Sequence, residues 1–459
     1  MLNKLKENKD IVYKETRGNC IICYQEHLCN ILEFMKDFYP RIEEKPYDNL
    51  DALFPGICKV TEATEDNICM LVFSGLLVAE RNKKYYVFDL SKAPSRPTGD
   101  SISEPDNVLG SRDGFVENFK ENIALIRTRV KDDSLRIDQL IIGRRSKTMV
   151  NVLSLKGIHN DQLRMKIIKQ LEAIDIDAIL SIEDLMAYFQ KKNLFPTYHY
   201  IGNPDTATRR LYNGEFLIVI DRICVVVSLP TTLAYTSRLK IDGLTQPFFS
   251  LFERLFVLLS AVFSIFFCGL LSSFSTYQKD SLSLMIISTL KVSQMGIYLP
   301  IFIEILIVLG MFELYYLIGF RQSKITVSST IVLIGGLIIG ENLISSGIAG
   351  VFIMTATAIC YLLSFVVSSN VTNIVSISIT RLMILLSSVI YGLFGVVIAS
   401  IILAYFLYNQ KTLGVHYFYP FLPFDVDGIS EFFLSSSNLK NNKRNKPLRV
   451  SNIFRRRLK

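Results

Sequence analysis

Between Leu255 and Tyr408 only nine side chains carry charge: Lys279, Asp280, Lys291, Glu304, Glu313, Arg321, Lys324, Glu341 and Arg381. Several windows in that stretch reach the roughly 20-residue apolar length that a bilayer-spanning helix requires. The residues before it carry charge at ordinary soluble density. This asymmetry sets the expected class, an α/β soluble N-terminal region of two subdomains followed by an α-helical polytopic membrane domain. The expected division is an N-terminal α/β subdomain at 1–100, a connector and helix at 101–133, a second α/β subdomain at 134–250, a transmembrane helical domain at 251–410 and a basic tail at 411–459.

Charge then suggests an orientation. The formal net charge is +8, and residues 440–459 alone hold nine Lys or Arg and no acid, so the remainder is close to neutral. Basic residues flanking a membrane segment are held on the cytoplasmic side and attracted to anionic lipid. The opening MLNKLKENKD has no apolar core of the kind a secretory signal needs. Both ends are therefore expected in the cytoplasm, which requires an even number of spans. Apolar windows fall at roughly 253–274, 281–299, 300–320, 326–348, 350–368 and 382–408. The second contains Lys291 and ends at Pro300, which leaves it open as a re-entrant or interfacial segment and the count open between four and six.

No P-loop, G-x-S-x-G, HExxH or GxGxxG occurs, so the sequence offers no catalytic constellation and implies no cofactor. Cys20, Cys23, His27 and Cys29 superficially resemble a metal knuckle. However, NCIICY (19–24) reads as a short buried strand whose Cys20 and Cys23 face opposite sides, and no second CxxC pair completes a zinc site. Cys268 and Cys360 lie inside apolar windows, where a small apolar side chain is their simplest role.

In the soluble region, Asn67–Phe73 is strand-like, Ser74-Gly75 turns, and Leu76–Glu80 and Lys84–Leu90 continue the pattern as a hairpin. Residues 93–107 are a Pro/Gly/Ser-rich connector. A helix is expected over Asp113–Val130, with Phe115, Phe119, Ile123 and Ile126 on one face. A further helix is expected around Ser134–Gly143, then a strand at Thr148–Lys156. Next come a helix at Asp161–Ile174 buried through Leu163, Ile167, Ile168 and Leu171, a short strand at Ala178–Leu180 and a helix at Ile182–Lys191. Glu215–Ile220 pairs across Asp221-Arg222 with Ile223–Leu229.

The most distinctive stretch is Ser103–Leu153, which crowds Arg112, Arg127, Arg129, Arg136, Arg144, Arg145 and Lys147 among Asp113, Glu117, Glu121, Asp132, Asp133 and Asp138. Interleaved acids weaken phosphate binding, so the pattern favours salt-bridged protein contacts over nucleic acid. Arg112, Asp113, Arg127, Arg129, Arg144, Arg145 and Lys147 are the candidates for inter-subunit or inter-domain contacts. Glu104-Pro105, GSRDGFVE (110–117), the N-x-ALIR-x-R run at 122–129 and GRRSKT (143–148) occur in order, and together they resemble the signature region of the GerA (GerABKA) family, the A-subunits of bacterial spore germinant receptors. The resemblance extends more loosely through Leu299-Pro300 with Glu304, Phe312-Glu313-Leu314, Gly340 and the run from Gly414 to Phe421. It departs at Ile201–Asp205, where the family usually shows Thr-Glu-Arg-Pro-Asp, at Asp221-Arg222, and at Thr231–Pro247. It departs again at Leu309 and Ser345, where further carboxylates are expected. What it implies is an oligomeric, ion-conducting membrane subunit at the inner spore membrane, partnered by a transporter-like B-subunit and a lipoprotein C-subunit.

Acids in hydrocarbon need a reason, since each costs about 2.5–3.5 kcal/mol on insertion scales. Glu304 lies one turn after Pro300, where a helix start favours an acid. Glu313, nine residues on, is about half a turn off Glu304. Glu341 stands about two-thirds along its window beside Gly335-Gly336 and Gly340, a spacing that permits close helix approach. Glu341, Glu304 and Glu313, with Lys291 as counter-ion, form the candidate ion pathway. Three function classes follow: a conducting receptor subunit, a non-conducting membrane scaffold or signalling subunit, and a solute transporter. The transporter class is weakest, because the apolar windows contain no internal repeat.

Overall fold

The computed structural model describes residues 11–15, 20–25, 28–29, 34–40, 58–61, 65–81, 84–90, 113–189, 193–232, 247–321, 340–367, 371–426, 428–429, 432 and 448. The connector at 93–107, Arg112, His27, Gly335-Gly336 and every residue of 440–459 except Leu448 lie outside them.

The first five strands are β1 (Ile11–Glu15), β2 (Ile21–Gln25), β3 (Cys58–Thr61), β4 (Leu77–Arg81) and β5 (Lys84–Phe88). They form an antiparallel sheet in the order β1-β2-β4-β5-β3. Strand alternation sends Cys20, Ile22 and Tyr24 to a core with Phe34, Ala79 and Phe88, and Cys23 to the opposite core with Val78 and Val87. Cys20 and Cys23 thus face opposite sides, as their spacing in an extended chain requires. Between β3 and β4, the expected strand at 67–73 is instead helix α1 (Glu65–Phe73). A short continuous apolar run fits either state. Here Ile68, Val72 and Phe73, at helical spacing, cover one face of the sheet while Met70 points out.

The second sheet follows helix α2 (Phe119–Arg127). It contains β6 (Leu135–Ile142), β7 (Thr148–Leu155), β8 (His199–Ile201), β9 (Phe216–Ile220) and β10 (Val226–Leu229), in the order β6-β7-β9-β10-β8. The expected helix at 134–143 is β6, paired with β7 from Leu135↔Leu155 to Ile142↔Thr148. In LRIDQLII the strand period places Leu135 and Ile137 inward, and Arg136 and Asp138 stand at the intervening positions. Helices α3 (Asp161–Glu172) and α4 (Ile182–Met186) cover one face. Helices α2 and α5 (Pro204–Asn213) cover the other. Strand β9, FLIVI, is buried at every position because both faces are covered. Leu163, Ile167 and Leu171 are buried as expected, and Ile168 sits at the margin. Residues 178–180 form no strand: Ile179 is buried but Leu180 is 85% exposed.

The bundle comprises α6 (Pro247–Thr276), α7 (Leu284–Ser293), α8 (Ile301–Arg321), α9 (Val351–Val367) and α10 (Val371–Asn409), with a short helical segment at 340–345. Among the described residues, three helices are long and apolar enough to cross a membrane: Leu251–Thr276, Ile301–Ile318 and Thr372–Asn409. The window at 281–299 does not form a span. Helix α7 has ten residues, about 15 Å at 1.5 Å per residue.

The expected helix at 382–408 also differs, because α10 starts earlier and folds back on itself. At Gly392 the backbone takes φ 59° and ψ −138°, a conformation reserved in practice for glycine. A Cβ there would lie 3.1 Å from the Tyr277 ring. Ile377 in the first limb and Leu407 in the second therefore meet in one apolar cluster, although a straight helix would hold them about 45 Å apart.

Side-chain pairings give the direction of each element. Helix α6 runs parallel to the first limb of α10: Ser264 meets Arg381, Gly269 meets Ile384, and Tyr277 reaches Val389. Helices α8 and α9 run parallel to each other, through Glu304 with Gly350, Phe312 with Tyr361, and Tyr316 with Phe365. The second limb of α10 returns to the sheets, and Leu448 packs with Val415 against Ile158 of the second sheet's unit.

Candidate functional site

The signature region is a knot around α2. Asn118 caps the helix by accepting from Lys120 N, and Asn122, fully buried, clamps Val116 through both amide atoms, at 2.8 Å to its N and 2.6 Å to its O. Phe115 N donates to Gly202 O at 3.0 Å. Arg129 ties the segment to α5: its Nη2 lies 3.0 Å from Asp113 Oδ2 and its Nε bonds Asp205. Helix α5, absent from the sequence-based expectation, starts where Asn203 caps, Pro204 occupies the first turn and Asp205 follows, a recognisable start signal.

Arg127 is fully buried at the end of α2. It donates to Asp132 O at 2.9 Å and Leu135 O at 3.0 Å, and its guanidinium lies 4.3 Å from the centroid of Phe73. Phe73 belongs to α1, so this cation–π contact joins the two sheet units. The GRRSKT segment forms the β6–β7 turn. Arg144 N and Arg145 N donate to Ile176 O and Asp177 O, each at 2.9 Å, and Arg144 forks onto Asp175, with Nε to Oδ1 at 2.6 Å. The Asp175 hydrogen bond holds the Arg144 guanidinium above its ordinary range. Arg144 thus pairs within its own unit, while Arg145 and Lys147 are exposed.

The charges of the apolar bundle are distributed differently. Glu304 is fully buried in the first turn of α8, where Oε1 accepts from Gln294 Nε2 at 3.3 Å and Oε2 from Gly350 N at 3.1 Å. One carboxylate therefore ties α7, α8 and the start of α9 together. Gly350 is required by the approach, since a Cβ there would sit 2.7 Å from Ser293 Oγ and 2.8 Å from Ser293 O. Glu313 is half-buried beside the Phe312–Tyr361 stack, whose ring centroids are 5.3 Å apart. Glu341 is exposed on the segment 340–345, four residues from its end, and Lys291 is exposed on α7 with no ion pair among the described residues. The three acids are not brought together.

Arg381 is the buried charge that sequence reasoning misplaced. A helix boundary at 382 left it just outside the apolar window, whereas it lies in the bundle, 1% exposed. Nε donates to Ser264 O at 2.7 Å, and Nη2 to Ser264 Oγ at 2.9 Å and Cys360 O at 3.4 Å. It thereby links α6, α9 and α10. Its signal was available, because the apolar run continues well upstream of 381.

Among the described residues no group of three metal-ligating side chains converges. Burial pushes the Cys29 thiol up to about 12, so it stays protonated, and it donates to Gly75 O at 3.0 Å.

Comparison with known proteins adds the following. Residues 1–447 match the family described as Bacillus/Clostridium GerA spore germination protein. The chain is 30% identical over 367 residues to spore germination protein XA of Bacillus anthracis, covering 79% of this chain and 74% of that one. It is 26% identical to spore germination protein GerQA of Bacillus cereus, covering 92% and 86% respectively. It is also 26% identical to stage V sporulation protein AF of Bacillus subtilis, covering 79% and 73%. Among solved structures, the crystal structure of the N-terminal domain of the A subunit of the Bacillus megaterium spore germinant receptor GerK3 aligns at 21% identity and TM-score 0.36, covering 50% of this chain and 91% of that one.

Proposed function

The chain belongs to the GerA family of Bacillus/Clostridium spore germination proteins, and from that premise we propose that it is a membrane subunit of a spore germination receptor, coupling germinant sensing to ion release as an oligomeric ion-conducting subunit. The observation that carries this reading is the extent of the family match, which runs through both sheets and the bundle to residue 447. One subunit then holds a water-facing part and a membrane part.

The exposure of Glu341 supports conduction. On a lone bundle this carboxylate faces outward, an unfavourable place for a charge in hydrocarbon. If copies of the chain surround a pore, the same position becomes one carboxylate of a ring, a standard means of favouring cations. Glu304 is satisfied internally and serves the packing of α7–α9, and Glu313 lies deeper, so Glu341 is the member of the candidate pathway retained. The exposed Arg145 and Lys147 beside Arg144 are the surface offered to neighbouring subunits, with a transporter-like B-subunit and a lipoprotein C-subunit as partners. The inner spore membrane is the site of action. Both ends face the spore core, an arrangement supported by Leu448 packing on the sheet side and by the anionic-lipid preference of the basic tail.

Potassium release from spores carrying Glu341→Gln tests the reading. Release on germinant addition is expected to fall several-fold at unchanged protein level and assembly, because a neutral ring loses its attraction for cations. Unchanged release would remove Glu341 from the pathway and favour a non-conducting scaffold.

A further inference from the structure

Where the sheets meet the bundle, each side inserts an element into the other. Residues 193–197 leave the second sheet's unit and enter the bundle. Phe195 is buried in a cluster with Ile377 of the first α10 limb, Leu407 of the second and Tyr417, and it stacks on the Tyr417 ring at 5.8 Å and 14°. Its backbone is gripped at both polar atoms by one side chain: Gln410 Oε1 accepts from Phe195 N at 3.3 Å, and Gln410 Nε2 donates to Phe195 O. Gln410 is itself buried, so withdrawing Phe195 strips both of these bonds from an amide shielded from water.

In the reverse direction, strands β11 (Lys411–Thr412) and β12 (Val415–His416) form a hairpin directly after α10, with Leu413 and Gly414 as its two-residue turn. Leu413 packs against the core of the second sheet. It does so at φ 56°, in the left-handed region, where hairpin turns normally carry Asn, Asp or Gly. A leucine held there against its conformational preference points to a side chain required by its contact.

We propose that this two-way interlock, Leu194-Phe195 in the bundle and Leu413 in the sheet core, is the joint through which the second sheet moves the returning limb of α10. The geometry is that of a lever. The limb 393–409 is attached to the sheet at Gln410 and Leu413, and its far end is the Gly392 break packed under Tyr277. The first limb holds by an exchangeable contact. Ser376 Oγ lies 2.7 Å from Leu194 O and 2.8 Å from Thr372 O, and its single proton serves one acceptor at a time. Release of Leu194 therefore leaves Ser376 satisfied within its own helix but leaves Gln410 unpaired. Both limbs lose apolar contact with Phe195, but only the returning limb is left with unpaired polar groups. On the sheet side the plug is anchored where Thr231 N donates to Thr197 O at 3.0 Å, at the end of β10. A shift of β10 is thus delivered to Phe195 within two residues.

The physical test uses full-length protein in lipid nanodiscs, with hydrogen exchange as readout. Phe195→Ala, in the sheet unit, is expected to speed exchange of residues 404–417 roughly tenfold through local opening, with 371–385 affected much less and α8 unchanged. Leu413→Asn, in the bundle hairpin, should reciprocally speed exchange in β7 and β9. Phe195→Leu keeps the burial without the stack, and should give the same pattern at smaller amplitude if Phe195→Ala does not accumulate. Changes confined to the substituted segment, or spread equally over both limbs, overturn the joint. The functional arm rests on the receptor reading above and measures the germinant concentration giving half-maximal potassium release. Phe195→Leu should shift it, and an unshifted value in spores whose release requires the gene overturns the joint as a control element. If deleting the gene leaves release intact, the receptor reading fails instead, and the joint stands or falls on the exchange data.

Discussion

The sheets and the bundle treat charge in opposite ways. Among the described residues above the bundle, several buried or half-buried cations meet acids: Arg129 meets Asp113 and Asp205, Arg164 meets Asp138 at 2.7 Å, and Arg210 meets the fully buried Glu215 at 3.0 Å. In the bundle, Glu304 and Arg381 are held by backbone and amide groups on other helices. A polar sequence offers opposite charges at little cost, whereas each extra charge in an apolar helix carries an insertion penalty. The bundle therefore fastens three helices with one charge and borrows partners that are already there, namely a carbonyl, a hydroxyl and a backbone N–H. The lesson is that its charges act as cross-braces, so losing one should loosen several helices at once.

The largest expected effect is at Arg381. Arg381→Ala removes three hydrogen bonds from a charged donor and leaves Ser264 Oγ and two carbonyls without it. A loss of about 3 kcal/mol follows at roughly 1–3 kcal/mol for each buried group left unsatisfied, less the relief from no longer burying a cation. Thermal unfolding of the detergent-extracted protein should fall clearly. A variant as stable as the parent would show that the bundle does not depend on this brace, and the contrast between the two regions would lose its main support.

A smaller effect is expected at Arg127, a buried cation above the bundle that, like Arg381, donates to backbone carbonyls, two of them, and lies against the Phe73 ring. Arg127→Met retains much of the stem's packing but loses the two bonds and the cation–π contact, a cost of about 2 kcal/mol. Because the contact joins the two sheet units, limited proteolysis of this variant should release the first unit earlier. Release at the parental rate would mean that other contacts hold the units together.

How far the sequence carried the fold depends on how local the deciding interaction is. Helix α3, strand β7 and the β9–β10 pairing were readable because their apolar spacing matched one period and their faces were filled by neighbours in the same unit. Residues 65–73 and 135–142 were misread for a common reason. ICMLVF is apolar throughout, and LRIDQLII fits a helix face almost as well as a strand, so the sheet that each joins had to decide. The break at Gly392 was hidden inside an uninterrupted apolar run, since hydropathy has no term for a glycine pressed against Tyr277. In the candidate site, the signature residues were legible as a cluster. Their work was not, because the partners of Arg127 and Arg129 on α1 and α5 lie 54 and 76 positions away.

The smallest effect on stability, and the sharpest discriminator between bracing and surface charge, is expected at the β6–β7 turn. Arg144 and Arg145 are exposed, and the Arg144–Asp175 pair is open to solvent, with side-chain exposures of 70% and 63%. An ion pair so placed contributes little to folding, because water and salt screen it and two long side chains lose freedom in forming it. The backbone contacts of this turn, from Arg144 N and Arg145 N to residues 176 and 177, survive truncation of the side chains. Arg144→Ala combined with Arg145→Ala should therefore leave thermal unfolding within the scatter of the parent. If the two guanidinium groups are offered to a neighbouring subunit, the same double variant should elute at smaller size, or lose co-purifying partners, in size-exclusion chromatography at low salt. A drop in stability with assembly intact would show that the turn braces the sheet much as Arg127 does, and the exposed signature arginines would no longer be candidates for contact between subunits.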